Sequence, residues 1–455
     1  MDGIAFGTDG WRAPLESFTS ERVRAVGQAV ATTLADADLD RPVAVGYDAR
    51  EHSPGFAAEL TAVLRTNGFD VVTTERDRPT PLYAHAVLER DLAGALVVTA
   101  SHNPPSYNGV KFVPETGAPA LPAVMDAIAD NLEPARSGEP TGSRSVVDVV
   151  GPHARDALAL VDGDCSGLSV AYDAMHGSGR GTTDALLERA GADVTCLRCS
   201  RDPTFGGTAP EPAADRLPTL INQVTTGQAD LGIANDGDAD RLAVVTPRRG
   251  HLDENLFFAA LYDHLLQSAS GPAVRTVSTS YLIDRVASAH GESVVEVPVG
   301  FKWVAEAMAE HDALVGGEES GGFSVRGHVR EKDGVAMALL AAAMHAEEPL
   351  DDRVDRLLAE HGTVVQDKES VSCPDEEKAT VMAALEDAIP ESLAGVTVES
   401  VSTADGFKLQ LADGSWVLVR PSGTEPALRV YAEADSEDRV ATLLESGTNL
   451  LAAVR

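Results

Sequence analysis

The sequence Ala-Asp-Leu-Gly-Ile-Ala-Asn-Asp-Gly-Asp-Ala-Asp-Arg, residues 229–241, joins a short apolar run to a loop that carries three aspartates. The apolar run, residues 229–234, has the length and composition of a buried β-strand. The same order of elements occurs three times along the chain: strand, helix, strand, helix, strand, and then a loop rich in glycine or other turn residues. Alternating strands and helices predict largely parallel sheets with right-handed crossovers.

Each of these three units supplies three predicted strands. They cover residues 43–47, 69–74 and 92–99 in the first unit, 168–173, 192–197 and 229–234 in the second, and 273–278, 293–297 and 313–315 in the third. In the first unit we expect a helix with Ser53 as N-cap and Pro54 at the first helical position. From about residue 366 the pattern predicts a helix, several strands and a final helix over residues 437–452.

The expected fold is therefore α/β: three similar α/β domains with mostly parallel sheets, and a smaller α+β C-terminal domain, around a central cleft. The expected boundaries are residues 1–150, 151–250, 251–365 and 366–455. Ligands of parallel sheets bind beyond the carboxyl ends of the strands. The loops that contain Ser101, Asp236 and Glu318 follow the third strand of their own units. We therefore expect these three loops to converge on one cleft.

Length and composition limit the class of protein. A chain of 455 residues with 44% hydrophobic residues can form two to four domains with sizeable cores. No run approaches the roughly 20 apolar residues that a membrane-spanning helix needs. The first residues also lack the basic start and the apolar run of a signal peptide. We therefore expect a cytoplasmic protein.

The chain is strongly acidic. It has 71 Asp and Glu residues against 36 Lys and Arg residues, a formal net charge of -35. Nucleic acids and anionic membranes need basic patches, so we expect small-molecule partners, no nucleic acid and no membrane. The acidic residues are spread along the chain, which fits a protein that stays in solution in concentrated salt, where screening reduces self-repulsion. We therefore expect a halophilic source.

The acidic loop is a candidate magnesium site. Asp236, Asp238 and Asp240 alternate with small residues, and alternating carboxylates on a bent loop supply the oxygen ligands that Mg²⁺ prefers. In so acidic a chain the same pattern also arises as solvated surface, and this alternative stays open. Two features favour the metal site, because apolar runs bracket the loop and Arg241 follows it directly.

Ser101 is a candidate nucleophile because it ends a predicted buried strand. An ordinary turn serine is the alternative. His102 beside it, and Lys111 ten residues later, place a base and a cation near the same loop. If Ser101 is the nucleophile, Lys111 together with His102 is our candidate for general acid/base catalysis.

Two further loops suit a phosphosugar. The loop at residues 420–426 contains a guanidinium group, two hydroxyl groups and a flexible glycine, which together form a phosphate cradle or, alternatively, an ordinary hairpin loop. Glu318 and Ser320 offer hydrogen bonds to vicinal sugar hydroxyls, although their flanking glycines also suit a plain turn. Downstream, residues 328–334 gather cations just before a helix that Asp333 is expected to cap.

Two other motifs carry little weight. The glycine-rich segment 176–181 is not a dinucleotide-binding motif, because its third glycine comes one residue early and no acid lies at the expected distance. Cys196 and Cys199 form a C-x-x-C pair, but no second pair completes a zinc site. We therefore expect structural cysteines and neither a dehydrogenase nor a nucleotide kinase.

Taken together, the loops resemble the signatures of a known enzyme family. Thr-Ala-Ser-His-Asn-Pro (99–104), Asp-Gly-Asp-Ala-Asp-Arg (236–241), Gly-Glu-Glu-Ser-Gly-Gly (317–322) and Arg-Pro-Ser-Gly-Thr (420–424) resemble the four signatures of the α-D-phosphohexomutases, in their order and spacing. The segment Phe-Gly-Thr-Asp-Gly-Trp-Arg (6–12) also resembles the family's N-terminus. The resemblance spans essentially the whole chain and implies three similar α/β domains and a smaller fourth domain around a central cleft.

The resemblance implies a role for each loop. Ser101 would be the phosphoserine, and one of its phosphate oxygens would bind Mg²⁺ together with Asp236, Asp238 and Asp240. Glu318 and Ser320 would grip the 3- and 4-hydroxyls of the sugar. The phosphate that is not transferred would be held by Arg420, Ser422, Gly423 and Thr424. Other residues expected at the substrate are Arg12, Arg241, Gly300, Lys302, His328, Lys332 and Arg429.

The resemblance favours glucose phosphates. Gly322 stands where bacterial members that serve both mannose and glucose phosphates often have a histidine, and residues 317–320 and 328–334 resemble glucose-preferring mutases. We therefore expect an isomerase that interconverts glucose 1-phosphate and glucose 6-phosphate, with Mg²⁺ as cofactor and glucose 1,6-bisphosphate as activator and intermediate.

Other functions stay open. A phosphomannomutase or a dual-specificity enzyme is the main alternative, and a phosphosugar hydrolase or a non-catalytic phosphosugar sensor is more remote. We expect a monomer or a small homo-oligomer. Because the bisphosphate has to turn around during the reaction, we also expect a hinge near residue 366.

Overall fold

The computed structural model describes residues 3–7, 10–161, 163–423 and 425–454. They form four β-sheets with accompanying helices. The predicted architecture of three α/β domains and a C-terminal domain is confirmed. Within these residue ranges, no helix has the length and apolar character needed to cross a bilayer.

The first domain contains a seven-stranded sheet. Its elements are β1 (Phe6–Gly7), β2 (Gly10–Pro14), α1 (Ser20–Asp36), β3 (Val43–Tyr47), α2 (Ser53–Thr66), β4 (Val71–Thr73), α3 (Thr80–Glu89), β5 (Gly94–Val98), β6 (Tyr107–Pro114), α4 (Pro122–Asp130), β7 (Arg144–Val146) and α5 (Val150–Leu158). The strand order is β1-β2-β6-β5-β3-β4-β7. Strands β5, β3, β4 and β7 are parallel, and β1, β2 and β6 continue the sheet in antiparallel fashion.

The central strand β5 is buried along its whole length. Leu96 and Val98 pack with residues of α1 and α2, whereas Ala95 and Val97 pack with residues of α3. Because successive side chains of a strand point to opposite faces, helices cover both faces of this sheet, as in other parallel sheets. Because both faces of β5 are covered by helices, its sequence is continuously apolar.

One local prediction in this domain is corrected. Helix α2 begins at Ser53, but its N-cap is His52. The hydroxyl of Ser53 donates a hydrogen bond to Asp48 Oδ1 at 2.7 Å. The Ser53 hydroxyl, which the sequence predicts as the helix cap, therefore binds the buried Asp48 carboxylate that follows β3.

The second domain contains a five-stranded sheet. Its elements are β8 (Ser169–Asp173), α6 (Thr183–Arg189), β9 (Asp193–Leu197), two 3₁₀ turns (Phe205–Gly207 and Ala214–Arg216), α7 (Pro218–Thr225), β10 (Leu231–Asn235), β11 (Leu242–Thr246) and β12 (Gly250–Leu252). The strand order is β12-β11-β10-β8-β9. The pairs of β8 with β9 and with β10 are parallel, and the other two pairs are antiparallel.

The third domain contains a four-stranded sheet. Its elements are α8 (Glu254–Leu266), β13 (Ala273–Thr276), α9 (Leu282–Ala289), β14 (Val294–Val297), α10 (Phe301–Glu310), β15 (Val315–Gly317), β16 (Phe323–Val325), α11 (Gly334–Glu347) and α12 (Leu350–His361). The strand order is β14-β13-β15-β16, with only the last pair antiparallel.

The fourth domain differs, because its six-stranded sheet is antiparallel throughout. Its elements are β17 (Val365–Ser372), α13 (Asp375–Asp387), β18 (Ser392–Leu393), β19 (Val396–Ser402), β20 (Phe407–Leu411), β21 (Trp416–Pro421), β22 (Ala427–Ala434) and α14 (Glu437–Val454). The strand order is β17-β22-β21-β20-β19-β18.

The first three sheets share one arrangement. In each, the first predicted strand lies between the second and the third, and the third turns directly back into an antiparallel neighbour: β5 into β6, β10 into β11, and β15 into β16. The sheets are therefore mixed. A parallel neighbour would need a crossover of roughly a dozen residues or more, and these connections are short loops. Each return loop is one of the loops that the sequence singled out.

The second and third domains share one hydrophobic core. Helix α11 lies in it and contacts α6, β10 and β11 of the second domain. A helix that is apolar all round is expected where neighbours cover every side. Residues of α3 and α5 in the first domain also pack in this shared core. The first and fourth domains have further core clusters of their own, and a small cluster that includes Val277 and Trp416 joins the third domain to the fourth.

Candidate active site

The three return loops meet, as the sequence predicts. The hydroxyl of Ser101, in the β5–β6 loop, donates a hydrogen bond to Asp236 Oδ2 in the β10–β11 loop at 2.7 Å. Leu242, at the end of that second loop, donates its N–H to the carbonyl of Gly321 in the β15–β16 loop at 2.9 Å. Equivalent loops from three domains therefore come together at a single site.

Ser101 has an unusual backbone conformation. Its φ is +50°, in the left-handed region, and the residue is only 1% exposed. Its N–H donates to Thr99 Oγ1 at 2.8 Å. Gly237 comes so close that a Cβ there would lie 2.6 Å from the Ser101 carbonyl oxygen. Glycine at 237 thus lets the two loops approach each other.

The three aspartates are buried, which excludes the alternative of a solvated acidic loop. One carboxylate oxygen from each lies within 4.8 Å of the others. Asp238 accepts a hydrogen bond from the hydroxyl of Thr80 at 2.7 Å. Lys111 Nζ lies 2.7 Å from Asp240 Oδ2 and 3.2 Å from Asp238 Oδ2.

Two oxygens of this cluster, Asp238 Oδ1 and Asp240 Oδ1, are buried without a hydrogen-bond partner among the described residues. Buried oxygens without partners are costly. Carboxylate oxygens at short mutual distances are the ligands of Mg²⁺. The residues present therefore fit a magnesium ion.

The pKa values of two carboxyl groups in the cluster shift in opposite directions. Burial and the nearby carboxylates of Asp240 and Asp238 raise the pKa of Asp236 well above its usual range. Although burial acts in the same direction on Asp238, the Lys111 ammonium and the Thr80 hydroxyl hold the pKa of that carboxyl below its usual range. A divalent cation would relieve the mutual repulsion of these carboxylates.

His102 lies beside the serine, with its Nδ1 3.2 Å from Ser101 Oγ. The guanidinium of Arg241, burial and the guanidinium of Arg12 lower the pKa of His102 to about 2. The ring is therefore neutral at neutral pH in this arrangement. Arg12 lies on β2 and its Nη1 donates to Asn103 Oδ1 at 3.4 Å.

Arg241 contributes a donor to the same region. Its N–H donates to Asp236 Oδ1 at 3.2 Å, and its Nε is buried without a hydrogen-bond partner among the described residues. A buried guanidinium N–H that lacks a protein acceptor suits an anionic ligand.

Glu318 joins two segments of the predicted sugar site. Its Oε1 accepts a hydrogen bond from the N–H of Gly300 at 2.9 Å. Burial, reinforced by Glu319, raises the pKa of Glu318 to about 7. Ser320 and Lys302 are half-buried in the same two segments, and the Lys302 ammonium lies 5.5 Å from the ring centroid of Trp303.

Gly322 and Lys332 occupy neighbouring space. A Cβ at residue 322 would lie 2.5 Å from Lys332 Cδ. Lys332 Nζ lies 2.8 Å from Glu331 Oε1 and 3.6 Å from Asp240 Oδ2. The lysine stem therefore fills the space that a side chain at 322 would need.

His328 has partners other than those predicted. Its Nε2 lies 2.7 Å from Asp333 Oδ2, as does that of His153 at 2.6 Å. The rings of His85, His153 and His328 form a cluster with centroids 5.3 to 5.9 Å apart. The predicted contact of His328 with substrate stays a prediction, because its buried side chain faces this cluster. Asp333 caps α11 as predicted, with its carboxylate accepting from Val335 and Ala336.

The predicted phosphate loop connects β21 and β22 of the fourth domain. Asp405 Oδ2 accepts hydrogen bonds from Arg420 Nε at 2.9 Å and from the N–H of Val299 at 3.1 Å. This carboxylate therefore ties the phosphate loop to the segment of the third domain that contains Gly300.

The rest of this loop is held by contacts within the fourth domain. Ser422 Oγ accepts a hydrogen bond from the N–H of Glu425 at 3.2 Å, and Gly423 beside it is exposed. Arg429 pairs with the Glu425 carboxylate at 2.9 Å. Thr424, which is also predicted here, lies outside the described residues, as do Thr8 and Asp9 of the N-terminal motif.

Sequence analysis missed several residues that hold these loops. Thr80 opens α3, Asp405 precedes β20, and Lys378 Nζ donates to the carbonyls of Ser422 and Glu425. Asp48 and Arg50 were also missed, although they follow directly after β3. The rule that ligands gather beyond the carboxyl ends of strands would have found this last pair.

Comparisons with known proteins agree with this arrangement. Models of the phosphoglucomutase/phosphomannomutase family match four successive segments: alpha/beta/alpha domain I at residues 3–138, domain II at 160–250, domain III at 253–361, and the C-terminal domain at 370–448.

Individual relatives cover nearly the whole chain but differ in substrate. A protein of Methanopyrus kandleri named a probable phosphoglucosamine mutase is 33% identical over 99% of this chain and 98% of its own length. A phosphopentomutase of Thermococcus kodakarensis is 33% identical over 97% and 96%. The crystal structure of a protein assigned as a phosphomannomutase in Thermus thermophilus matches with a TM-score of 0.87 and 30% identity, and covers 99% of both chains.

Proposed function

The chain belongs to the phosphoglucomutase/phosphomannomutase family, and on that premise we propose that it is a Mg²⁺-dependent mutase that interconverts glucose 1-phosphate and glucose 6-phosphate. One observation carries the proposal. The hydroxyl of Ser101 lies 2.7 Å from an oxygen of a buried aspartate cluster that retains two unpartnered oxygens. This is the arrangement that a phosphoryl-accepting serine beside a magnesium site requires.

In the proposed reaction, phosphorylated Ser101 gives its phosphoryl group to the 6-hydroxyl of glucose 1-phosphate. The bond between phosphorus and the serine oxygen breaks and the bond to O6 forms, while the proton of the 6-hydroxyl passes through a basic group of the site to the departing serine oxygen. The resulting glucose 1,6-bisphosphate turns end for end without leaving. The serine oxygen then bonds to phosphorus of the 1-phosphoryl group, the bond from phosphorus to O1 breaks, the serine proton passes to O1, and glucose 6-phosphate is released.

The residues supply position and charge, because phosphate esters react very slowly on their own. Asp236, Asp238 and Asp240 would hold Mg²⁺, which would neutralise charge on the oxygens of the transferring group. Arg241 and Arg12, on two different loops of the site, would offset the remaining negative charge of the substrate phosphates.

Lys111 remains our candidate for proton transfer. It is buried and lies next to two carboxylates of the cluster. His102 is a weaker candidate, because a pKa of about 2 makes its ring a poor base. We therefore propose that His102 acts as a neutral hydrogen-bond partner of Ser101.

The other predicted residues would bind the substrate. Glu318 and Ser320 would hold the 3- and 4-hydroxyls, and the segment with Gly300 and Lys302 would contact the sugar phosphate. The phosphate that is not transferred would be bound by Arg420, Ser422, Gly423, Thr424 and Arg429. The contacts of Asp405 support a joint site of the third and fourth domains.

The preference for glucose rests on Lys332. Its stem fills the space beside Gly322, so the histidine that dual-specificity members carry at this position would have to displace it. Mannose phosphates are the alternative substrate, and the names of the relatives add glucosamine and pentose phosphates to the candidates.

A coupled assay tests the proposal. The purified protein in high salt, with Mg²⁺ and a trace of glucose 1,6-bisphosphate, is given glucose 1-phosphate, and glucose 6-phosphate is measured. Mannose, glucosamine and ribose 1-phosphates are compared at equal concentration. Ser101→Ala is the test variant, and Ser106→Ala, in the same loop, is the matched control.

We expect rapid turnover of glucose 1-phosphate that Ser101→Ala abolishes and Ser106→Ala retains. Faster turnover of another sugar phosphate would replace glucose as the substrate. Release of inorganic phosphate would indicate a hydrolase. Full activity of Ser101→Ala would overturn the mechanism.

A further inference from the structure

Arg50 lies directly after β3 and is only 1% exposed. A guanidinium has five N–H donors, and here all five are used. Nε donates to Asp48 Oδ2 at 2.9 Å. The other four donate to backbone carbonyls of the β5–β6 loop and of the first residue of β6, at 2.7 to 3.0 Å; these belong to Ser101, Asn103, Pro104 and Tyr107.

Asp48, which pairs with Arg50, is connected to Ser101 through Thr99. Asp48 Oδ2 accepts a hydrogen bond from the hydroxyl of Thr99 at 2.8 Å. The same Thr99 oxygen accepts the N–H of Ser101 at 2.8 Å. The N–H and the carbonyl of Ser101 are therefore both connected to the Asp48–Arg50 pair.

These bonds hold a strained conformation. Ser101 has a φ of +50°, in the left-handed region, which is unfavourable for residues other than glycine. Such a conformation persists only where its surroundings determine it fully. In this conformation the Ser101 hydroxyl points to Asp236.

A residue of the second domain covers one face of the Arg50 guanidinium. The guanidinium carbon of Arg50 lies 5.1 Å from the ring centroid of Phe205, so the ring stacks on the cation. With its donors engaged and one face covered, Arg50 has no N–H left for a substrate phosphate. Its charge acts on the loop and not on the reacting atoms.

We propose that Arg50 is a positioning residue, which fixes the backbone of Ser101 so that its hydroxyl is aligned for phosphoryl transfer. The inference rests on the proposed function of Ser101. A lysine cannot replace Arg50, because an ammonium has three donors and no planar fork that could bind four carbonyls. Displacement of a reacting group by about 1 Å costs roughly 100-fold in rate.

The test compares Arg50→Lys with Arg353→Lys. Arg353 is an equally buried arginine on α12 that binds Asp263 and Glu348, so it controls for the loss of a buried guanidinium. For each variant, kcat and KM are normalised to the folded fraction. The rate at which hexose 1,6-bisphosphate phosphorylates Ser101 is followed by intact mass.

For Arg50→Lys we expect kcat and the phosphorylation rate to fall by roughly 100-fold, with KM within about threefold of the wild-type value. Arg353→Lys should retain both rates even where its melting temperature falls. Unchanged rates in Arg50→Lys, or losses equal to those of Arg353→Lys, would overturn the inference.

Thr99→Val provides a second route if Arg50→Lys does not fold. It removes the acceptor of the Ser101 N–H and should slow phosphorylation in the same way, whereas an unchanged rate would count against the proposed positioning of Ser101. If the wild-type protein is not phosphorylated at Ser101, the proposed function fails. If the wild type and every variant are phosphorylated equally fast, the proposed function stands and the positioning role of Arg50 fails.

Discussion

At the scale of single residues, the site holds several charged side chains in buried positions. Asp236, Asp238 and Asp240 are buried, and Lys111 and Lys332 contact them. Buried charges are costly unless each polar atom has a partner. Residues outside the aspartate loop therefore decide how well the carboxylates are held.

Thr80→Val should lower Mg²⁺ affinity or Mg²⁺-dependent activity by roughly 10- to 100-fold, the usual effect of losing a partner of a metal ligand. The reason is the 2.7 Å hydrogen bond from its hydroxyl to Asp238. Titration of activity with MgCl₂ measures the effect. Thr61→Val, a buried threonine that bonds a backbone carbonyl of α2, is the control, and equal Mg²⁺ dependence of both variants would contradict the prediction.

Glu318→Gln should remove a pH dependence of stability. Since the pKa of Glu318 is raised to about 7, against about 4.3 for an unperturbed glutamate, the folded state binds more protons than the unfolded state between these values. The stability of the wild type relative to Glu318→Gln is therefore greatest below about pH 4.3 and falls as pH rises towards 7, by roughly 4 kcal/mol in all.

Urea unfolding of both proteins at pH 5 and pH 8, in constant salt, measures this difference. Glu376→Gln, on the exposed first turn of α13, is the control and should show no comparable change. A difference between wild type and Glu318→Gln that is the same at both pH values would exclude the raised pKa.

At the scale of elements, each site loop in the first three domains connects a parallel strand to its antiparallel neighbour. Both ends of such a loop are fixed by the sheet, so its few residues have little freedom. Helix α11 adds a second kind of constraint, because it begins at Gly334, two residues after Lys332. The start of this helix therefore determines where Lys332 lies.

Asp333→Ala should destabilise the protein by clearly more than the loss of a helix cap, which costs about 1 kcal/mol. Its carboxylate caps α11 and also binds His153 and His328. Asp253→Ala removes only the cap of α8 and is the matched control. Urea-unfolding midpoints that shift equally in both variants would show that the histidine contacts contribute nothing.

At the scale of the whole molecule, the second and third domains share one core that also takes in α3 and α5 of the first domain, whereas the fourth domain has a core cluster of its own. The fourth domain is docked on the third through a small apolar cluster and several hydrogen bonds. Lys408 of β20 donates to the Val277 carbonyl at 2.8 Å and lies 4.0 Å from the ring centroid of Tyr281 in the third domain. Because the fourth domain has a core cluster of its own, it can move as a unit relative to the third.

We expect hinge motion near residue 366 when the bisphosphate binds. Gln366 donates to the Ser278 carbonyl and follows Gly362, whose φ is +89°. Hydrogen exchange of residues 362–366 should differ between the free protein and the protein with glucose 1,6-bisphosphate. Equal protection in both states would count against the hinge, and the central strand β5 serves as the internal reference.

The net charge of -35 predicts that concentrated salt stabilises the fold. The Debye length falls from about 8 Å at 0.15 M to about 3 Å at 1 M, which weakens repulsion among the acidic side chains. We expect the melting temperature to rise by several degrees between 0.2 and 2 M KCl. A melting temperature that stays constant or falls would contradict a halophilic adaptation.

The sequence determined the order of the elements and the chemistry of the loops. Strands such as β3 and β10 are continuous apolar runs, and their pattern is visible locally because burial on both faces demands it. The motif around Ser101 and the alternating aspartates lies within a few residues, so its chemistry is visible without the fold. The resemblance to the family followed from these local features.

Only the tertiary structure decided which distant residues hold these loops and where some side chains point. Thr80 and Asp238 are 158 residues apart, and Arg50 and Ser101 are 51 apart. Hydrogen bonds across such separations leave no periodic pattern in a sequence. His328 turned towards Asp333 for a related reason, since the direction of a loop side chain depends on neighbours that only the packing of several domains brings together.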